Sequence, residues 1–164
     1  MMKELNMILA ADEHNAIGRK GGIPWHIPED FKYFKKTTLG HTVIMGWGTW
    51  VSLGSKPLPG RTNLVLCQEP VPEPTADGVK FFSSLEKALE CAGEGAFIIG
   101  GGYTYREALP FATRIYLTRI HTLIEDADTF FPELDASWKI VSRGETLRDE
   151  KSGLAFEFLI YEKA

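Results

Sequence analysis

The segment "GGIPWHIPEDFKYFKKTT" (residues 21–38) sets one carboxylate, Asp30, among aromatic and basic side chains. Phe31 and Phe34 follow it by one and four positions. Two readings of Asp30 stand side by side. In the first turn of a helix it is a solvated acid, favoured by the helix dipole by about 0.3–1 kcal/mol, as Glu29 beside it would be. If the Asp30/Phe34 stripe instead faces inward, the carboxylate needs a donor-rich partner, because a buried unpaired charge is costly. The planar N–C–NH2 edge of a heterocycle offers two parallel N–H groups that match the two oxygens.

Two glycine-rich stretches could hold an anion. "IIGGGYTYREAL" is a strand, three glycines and a helix start; "VIMGWGTW" repeats this order with Gly46, Gly48 and a helix opened by Thr49. Glycine lets another group approach the backbone, and a helix start offers free N–H groups. Side by side at strand ends, the two could clamp a diphosphate. Neither is a full G-x-G-x-x-G, since Tyr105 stands where the last glycine would be. Glycines serving tight turns alone remain the other reading. His14, His26, His41 and His121 have no metal-ligand spacing, and no G-x-S-x-G elbow supports hydrolase chemistry.

The elements that must position these residues follow from pattern. "LNMILAAD" (5–12) reads as a buried strand, and about 16 irregular residues follow it up to Pro28, the length of a functional lid. A helix runs from Pro28 to near Gly40. "HTVIMG" and "RTNLVLC" are strands flanking the short helical "GTWVSLG", and "QEPVPEPTADG" is a surface loop. "SSLEKALECAG" shows a capping box of Ser83 with Glu86 and ends at glycine. "AFIIGGG" is a strand, "YTYREALPFA" a helix and "TRIYLTRI" a strand. The last third reads as two long strands, with period-2 alternation in Leu154, Phe156, Phe158 and Ile160. The succession implies an α/β fold: a central, mixed, mostly parallel eight-stranded sheet with a C-terminal antiparallel hairpin, flanked by about four helices. Ligands then bind beyond the carboxyl ends of the strands, after Ala11, Gly46, Cys67 and Ile99.

A chain of 164 residues is expected to form one domain over residues 1–164. At 44% hydrophobic and 24% charged residues it has the composition of a soluble globular protein. A net charge of −4 argues against sequence-independent nucleic-acid binding. Cys67 and Cys91 read as reduced, partly buried thiols of a cytoplasmic protein. The N-terminal residues lack the apolar run of a signal peptide, and no segment is long enough to span a membrane.

Taken together, "NAIGRKGGIPWHIPEDFKYFK", "TVIMGWGTW", "PLPGR", "FIIGGGYTY", "IYLTRI" and "DADTFFP", in this order and spacing, resemble the dihydrofolate reductase family over nearly the whole chain. The resemblance implies reduction of 7,8-dihydrofolate to tetrahydrofolate for one-carbon metabolism. NADPH is the implied cofactor, with hydride passing from nicotinamide C4 to pterin C6 and a proton added at N5. Asp30 matches the residue that bonds the pterin 2-amino group and N3, and Thr118 matches the hydroxyl supporting it. The resemblance further implies that a water admitted near Ile23 and Trp25 delivers the proton. Arg61 matches the partner of the folate α-carboxylate, where a bidentate guanidinium outperforms a lysine. Ile8, Phe31, Phe34, Leu53, Leu58 and Ile99 match the apolar walls of the folate site. On the cofactor side the resemblance marks Ala10, Ile17, Gly18, Gly46, Trp47, Gly48, Thr49, Leu66, Cys67, Gln68, Ile99, Gly101, Gly102, Tyr103, Tyr105 and Thr129. It implies a monomer, with antifolates as further small-molecule partners.

Two departures stand out. Trp47, Gln68 and Tyr103 occupy places where many family members carry Arg or Ser/Thr around the adenosine 2'-phosphate. Losing those charge-assisted hydrogen bonds implies weaker discrimination of NADPH from NADH. One extra residue in "SLGSKPLPGR" lengthens the loop before Arg61. Two rival readings are a pterin or pyrimidine reductase on the same fold, such as that of riboflavin synthesis, and a non-catalytic folate- or nucleotide-binding protein. Arg61 disfavours the first and the Asp30, Trp25 and Thr118 set the second.

Overall fold

The computed structural model describes residues 4–19, 23–73 and 77–164. Gly21 and Gly22 of the expected lid, and part of the loop 68–78, lie outside the described residues. The chain opens with β1 (Leu5–Ala11) and β2 (Ala16–Gly18), followed by α1 (Pro28–Thr38), β3 (Thr42–Met45) and α2 (Trp47–Ser52). Next come β4 (Thr62–Leu66), β5 (Val79–Phe82), α3 (Leu85–Ala92), β6 (Ala96–Gly100) and α4 (Gly102–Ala108), which runs into a 3-10 turn (Leu109–Phe111). The last strands are β7 (Arg114–Ile120), β8 (Thr129–Phe130), β9 (Trp138–Arg143), β10 (Leu147–Arg148) and β11 (Ala155–Lys163).

Eight strands lie along one path, β10-β11-β7-β1-β6-β3-β4-β5, and β9 also pairs with β11. From β7 to β5 all pairings are parallel; β11 runs antiparallel to β7, β9 and β10. The expected mixed, mostly parallel sheet with an antiparallel C-terminal edge is therefore present. β1 is central and covered on both faces. Met7 and Leu9 pack with Ile98, Ile115 and Leu117, while Ile8 points the other way, to Val43, Met45 and Phe97. A third cluster joins Trp25 and Ile27 to Ile120 and Phe156.

Several local expectations change. The connection from β1 to α1 is not wholly irregular, because β2 pairs antiparallel with β8 and anchors it to a distant loop. That pairing is long-range, so local pattern could not reveal it. Ser84, not Ser83, caps α3 by accepting from the Lys87 backbone N–H at 3.3 Å, and the Ser83/Glu86 capping box does not form. Thr49 is the third residue of α2, which Trp47 opens. In β11 the alternation is blurred: Phe156 is buried, but so are Glu157 and Leu159, since neighbours cover both faces. Cys67 is half-buried and Cys91 exposed; both are free thiols. No helix among the described residues is long and apolar enough to cross a membrane.

α1 begins with Pro28, whose fixed φ and missing N–H suit a first-turn position. Glu29 and Asp30 in the first turn and Lys35 and Lys36 in the last complement its dipole. At the end of β3, the Gly46 N–H donates to the Gly100 carbonyl of β6 at 2.9 Å. A Cβ on Gly46 would stand 2.6 Å from Oγ1 of Thr104, which is itself buried. Gly46→Ala therefore forces two close-packed strand–helix junctions apart. It is expected to lower stability by about 1–3 kcal/mol, measured as a reduced midpoint of denaturant unfolding; an unchanged midpoint would contradict this packing.

Candidate active site

Asp30 sits in the first turn of α1, over the carboxyl end of β7. Its Oδ1 accepts a 2.7 Å hydrogen bond from the hydroxyl of Thr118, a residue only 1% exposed. Thr118 is in register with Ala10 on the adjoining β1, so the carboxylate stands above the middle of the sheet. Burial raises the Asp30 carboxyl above its ordinary value, and the Thr118 hydrogen bond partly offsets this. Tyr105 of α4 donates to the Ile8 carbonyl at 2.8 Å; burial and then the Asp30 charge raise its phenol. Asp30 is thus neither a plain solvated acid nor a buried charge with a full set of donors. Among the described residues it has one hydroxyl partner, which leaves acceptor capacity for a ligand.

An apolar cluster shares its face of the sheet. Ile8 is in the core, with Phe34, Leu53, Leu58 and Ile99 packed on the same cluster at its open edge. Phe31 and Ile23 behave differently: they are 47% and 61% exposed, so they stand at the rim. Phe31 lies 5.1 Å, ring to ring, from His26. Trp25 is buried, yet its indole Nε1 finds no acceptor among the described residues. Such an orphaned donor calls for a partner from solvent or ligand.

Arg61 is placed by a network that the sequence motif did not reveal. Its Nε donates to the Pro59 carbonyl at 2.9 Å and an NH1 hydrogen to Thr38 Oγ1 at 3.0 Å; Thr38 in turn donates to the Phe34 carbonyl. Asn63, fully buried in β4, holds the loop from beneath, accepting from the Leu58 N–H and donating to the Leu58 and Arg61 carbonyls. A polar residue inside the apolar run "TNLVLC" was the available signal for Asn63.

The second face of the site is the glycine edge. Thr49 Oγ1 lies within 3.0 Å of a Cβ position on Gly100 and 3.5 Å of one on Gly101. A Cβ on Gly102 would meet Thr129 Cγ2 at 2.6 Å and Ile17 Cδ1 at 3.8 Å. Ile17, Gly18, Gly102 and Thr129 thus converge through the β2–β8 pair. Ala10 is half-buried beside the Trp25 cluster, and Leu66 packs on the main core. Cys67 Sγ lies 3.7 Å from the Phe82 carbonyl. Trp47, Gly48, Gln68 and Tyr103 are exposed, with Trp47 6.3 Å from the Phe81 ring, and they do not assemble into a packed cluster.

The described residues thus place Asp30 with Thr118 at the start of α1, Arg61 with Thr38 at its end, and glycines at the ends of β3 and β6. Residues 4–163 match the dihydrofolate reductase family profile. The chain belongs to that family. It is 44% identical over 162 residues to a dihydrofolate reductase of Bacillus subtilis, covering 97% of this chain and 94% of the relative. Its identity to a dihydrofolate reductase of Neisseria gonorrhoeae is 44% over 163 residues, with 98% of both chains covered. A dihydrofolate reductase type 3 of Salmonella typhimurium is 42% identical over 160 residues, covering 94% of this chain and 95% of the relative.

Folded Asp30 binds its proton more tightly than the unfolded chain does. Its contribution to stability is therefore full below the ordinary value of 3.8 and is lost as pH rises through the raised folded value. Asn at this position keeps an acceptor for Thr118 and removes the charge. Asp30→Asn is expected to raise Tm at neutral pH, with the gain shrinking as pH falls into the carboxylate range. A Tm difference independent of pH would contradict this.

Proposed function

We propose that this chain reduces 7,8-dihydrofolate to tetrahydrofolate with NADPH as the hydride donor. The observation that carries the reading is the desolvated Asp30 carboxylate, whose one side-chain partner among the described residues is Thr118. Family membership and the names of the relatives support it. Asp30 accepts from the pterin 2-amino group and N3, a planar donor pair suited to two carboxylate oxygens. Ile8, Phe31, Phe34, Leu53, Leu58 and Ile99 hold the rings, and Arg61 takes the glutamate α-carboxylate. The orphaned Trp25 N–H fits a water held between Trp25 and the pterin, from which N5 receives its proton; Ile23 stands at the entry.

Gly46 and Gly102 let the starts of α2 and α4 pack close to Thr104 and Thr129, and the free N–H groups of those helix starts suit a dinucleotide's diphosphate. Ala10, Ile17, Gly18, Thr49, Ile99, Gly101, Tyr105 and Thr129 would line the nicotinamide and diphosphate. Trp47, Gly48, Leu66, Cys67, Gln68 and Tyr103 would meet the adenosine. When bound, NADPH supplies the hydride delivered to pterin C6; the chain orients the two rings and excludes water, which accounts for most of what such a site must do.

Asp30→Asn is expected to lower turnover near neutral pH by about a hundredfold or more, with cofactor binding nearly unchanged. Equal activity of the two proteins would refute the role of Asp30. Arg61→Leu should mainly raise the KM for dihydrofolate.

Because Trp47, Gln68 and Tyr103 bring no cation to the adenosine end, discrimination of NADPH from NADH should be weak. Comparison of kcat/KM for the two cofactors tests this; a preference for NADPH above about a thousandfold would contradict it and indicate another basic residue, such as Lys56.

A further inference from the structure

Asp12 is a buried carboxylate, 1% exposed, for which the chemistry above has no use. It stands where β1 ends and the lid begins, and each of its oxygens has a separate task. Oδ1 accepts the backbone N–H groups of His14 and Ala16, both at 2.8 Å, which closes the turn leading into β2. Oδ2 accepts the Ile124 N–H at 2.8 Å, reaching across to the connection between β7 and β8. Three backbone donors satisfy a buried carboxylate that would otherwise be costly.

Other contacts tighten the same junction. The Glu13 N–H donates to the Thr122 carbonyl and the Phe131 N–H to the Asn15 carbonyl. Arg119 donates to the Asp12 carbonyl at 2.6 Å and to Asn15 Oδ1 at 2.8 Å. Beyond this root the pairing of β2 with β8 continues the junction. The Asp128 N–H reaches the Gly18 carbonyl, and Arg19 meets Asp126 at 3.1 Å in an exposed ion pair, a kind worth little in water. The two segments joined by Asp12 carry Ile17 and Thr129, which press together on Gly102.

We propose that Asp12 is a positioning residue for the cofactor side of the site. Its carboxylate locks the lid root to the β7–β8 connection, so that Ile17, Gly18 and Thr129 are held as one unit against Gly102. This rests on the NADPH reading above. Asp30 and Arg61 belong to the α1 side, which Asp12 does not touch. The role should therefore appear in cofactor release and not in dihydrofolate affinity.

Asp12→Asn tests the bridge selectively. The amide oxygen can still accept from His14 and Ala16, but its NH2 faces the Ile124 N–H, donor against donor. Amide hydrogen exchange of the free protein should speed up at Ile124 while His14 and Ala16 stay protected. The NADPH dissociation rate, followed by stopped-flow fluorescence with a trapping excess of competitor, should rise by about tenfold, the scale of one charged hydrogen bond. KM for dihydrofolate should stay within about twofold, as expected when no substrate contact is lost. Asp12→Ser, whose hydroxyl can serve the turn but cannot span to Ile124, should give the same pattern and replaces Asp12→Asn if that variant does not fold. Wild-type release and exchange rates in the variant would overturn the proposal. So would a rise of exchange throughout the sheet with KM and release changing together, which marks a general loss of stability. Failure of the wild-type chain to bind NADPH would instead defeat the functional reading on which the proposal rests.

Discussion

The site depends on keeping a carboxylate poorly solvated and yet incompletely partnered. Thr118 supplies one hydrogen bond to Asp30, and burial withholds water. Both the raised proton affinity of Asp30 and its readiness for a donor-bearing ligand follow from that single arrangement. A charge here weakens the free protein, and a ligand bringing N–H donors would relieve the desolvation that opposes folding.

α1 converts this local arrangement into a fixed spacing. Asp30 lies in its first turn and Thr38 at its last residue, about 12 Å apart at the usual helical rise. Thr38 anchors the guanidinium of Arg61, and Asn63 fixes the loop beneath it. One rigid helix thereby spaces a carboxylate from a cation, with Phe34 lining the interval. The sheet supplies the other dimension. Adjacent parallel strands β3 and β6 are tied at their carboxyl ends, where the Gly46 N–H just after β3 donates to the Gly100 carbonyl that closes β6.

Much of this was legible in residue order. Strand and helix positions followed from apolar runs, glycines and Pro28, and the sheet type from their alternation. The resemblance singled out Asp30, Thr118 and Arg61, and the first two are hydrogen-bonded; helix rules alone left Asp30 ambiguous, because local spacing does not report what covers a helix face. What stayed hidden was long-range. The β2–β8 pair, the Asp12–Ile124 contact and the Thr38–Arg61 contact each join residues far apart in the chain. Ser84 displaced Ser83 as the cap because a one-residue shift of the helix start changes which hydroxyl meets a free N–H. Trp47 and Tyr103 are exposed.

The most direct test is absorbance of NADPH mixed with the purified chain before and after dihydrofolate is added. The account predicts that NADPH is consumed only when dihydrofolate is present, in equal amount to the tetrahydrofolate formed. No consumption, or consumption that instead requires a pyrimidine precursor of riboflavin, would contradict it.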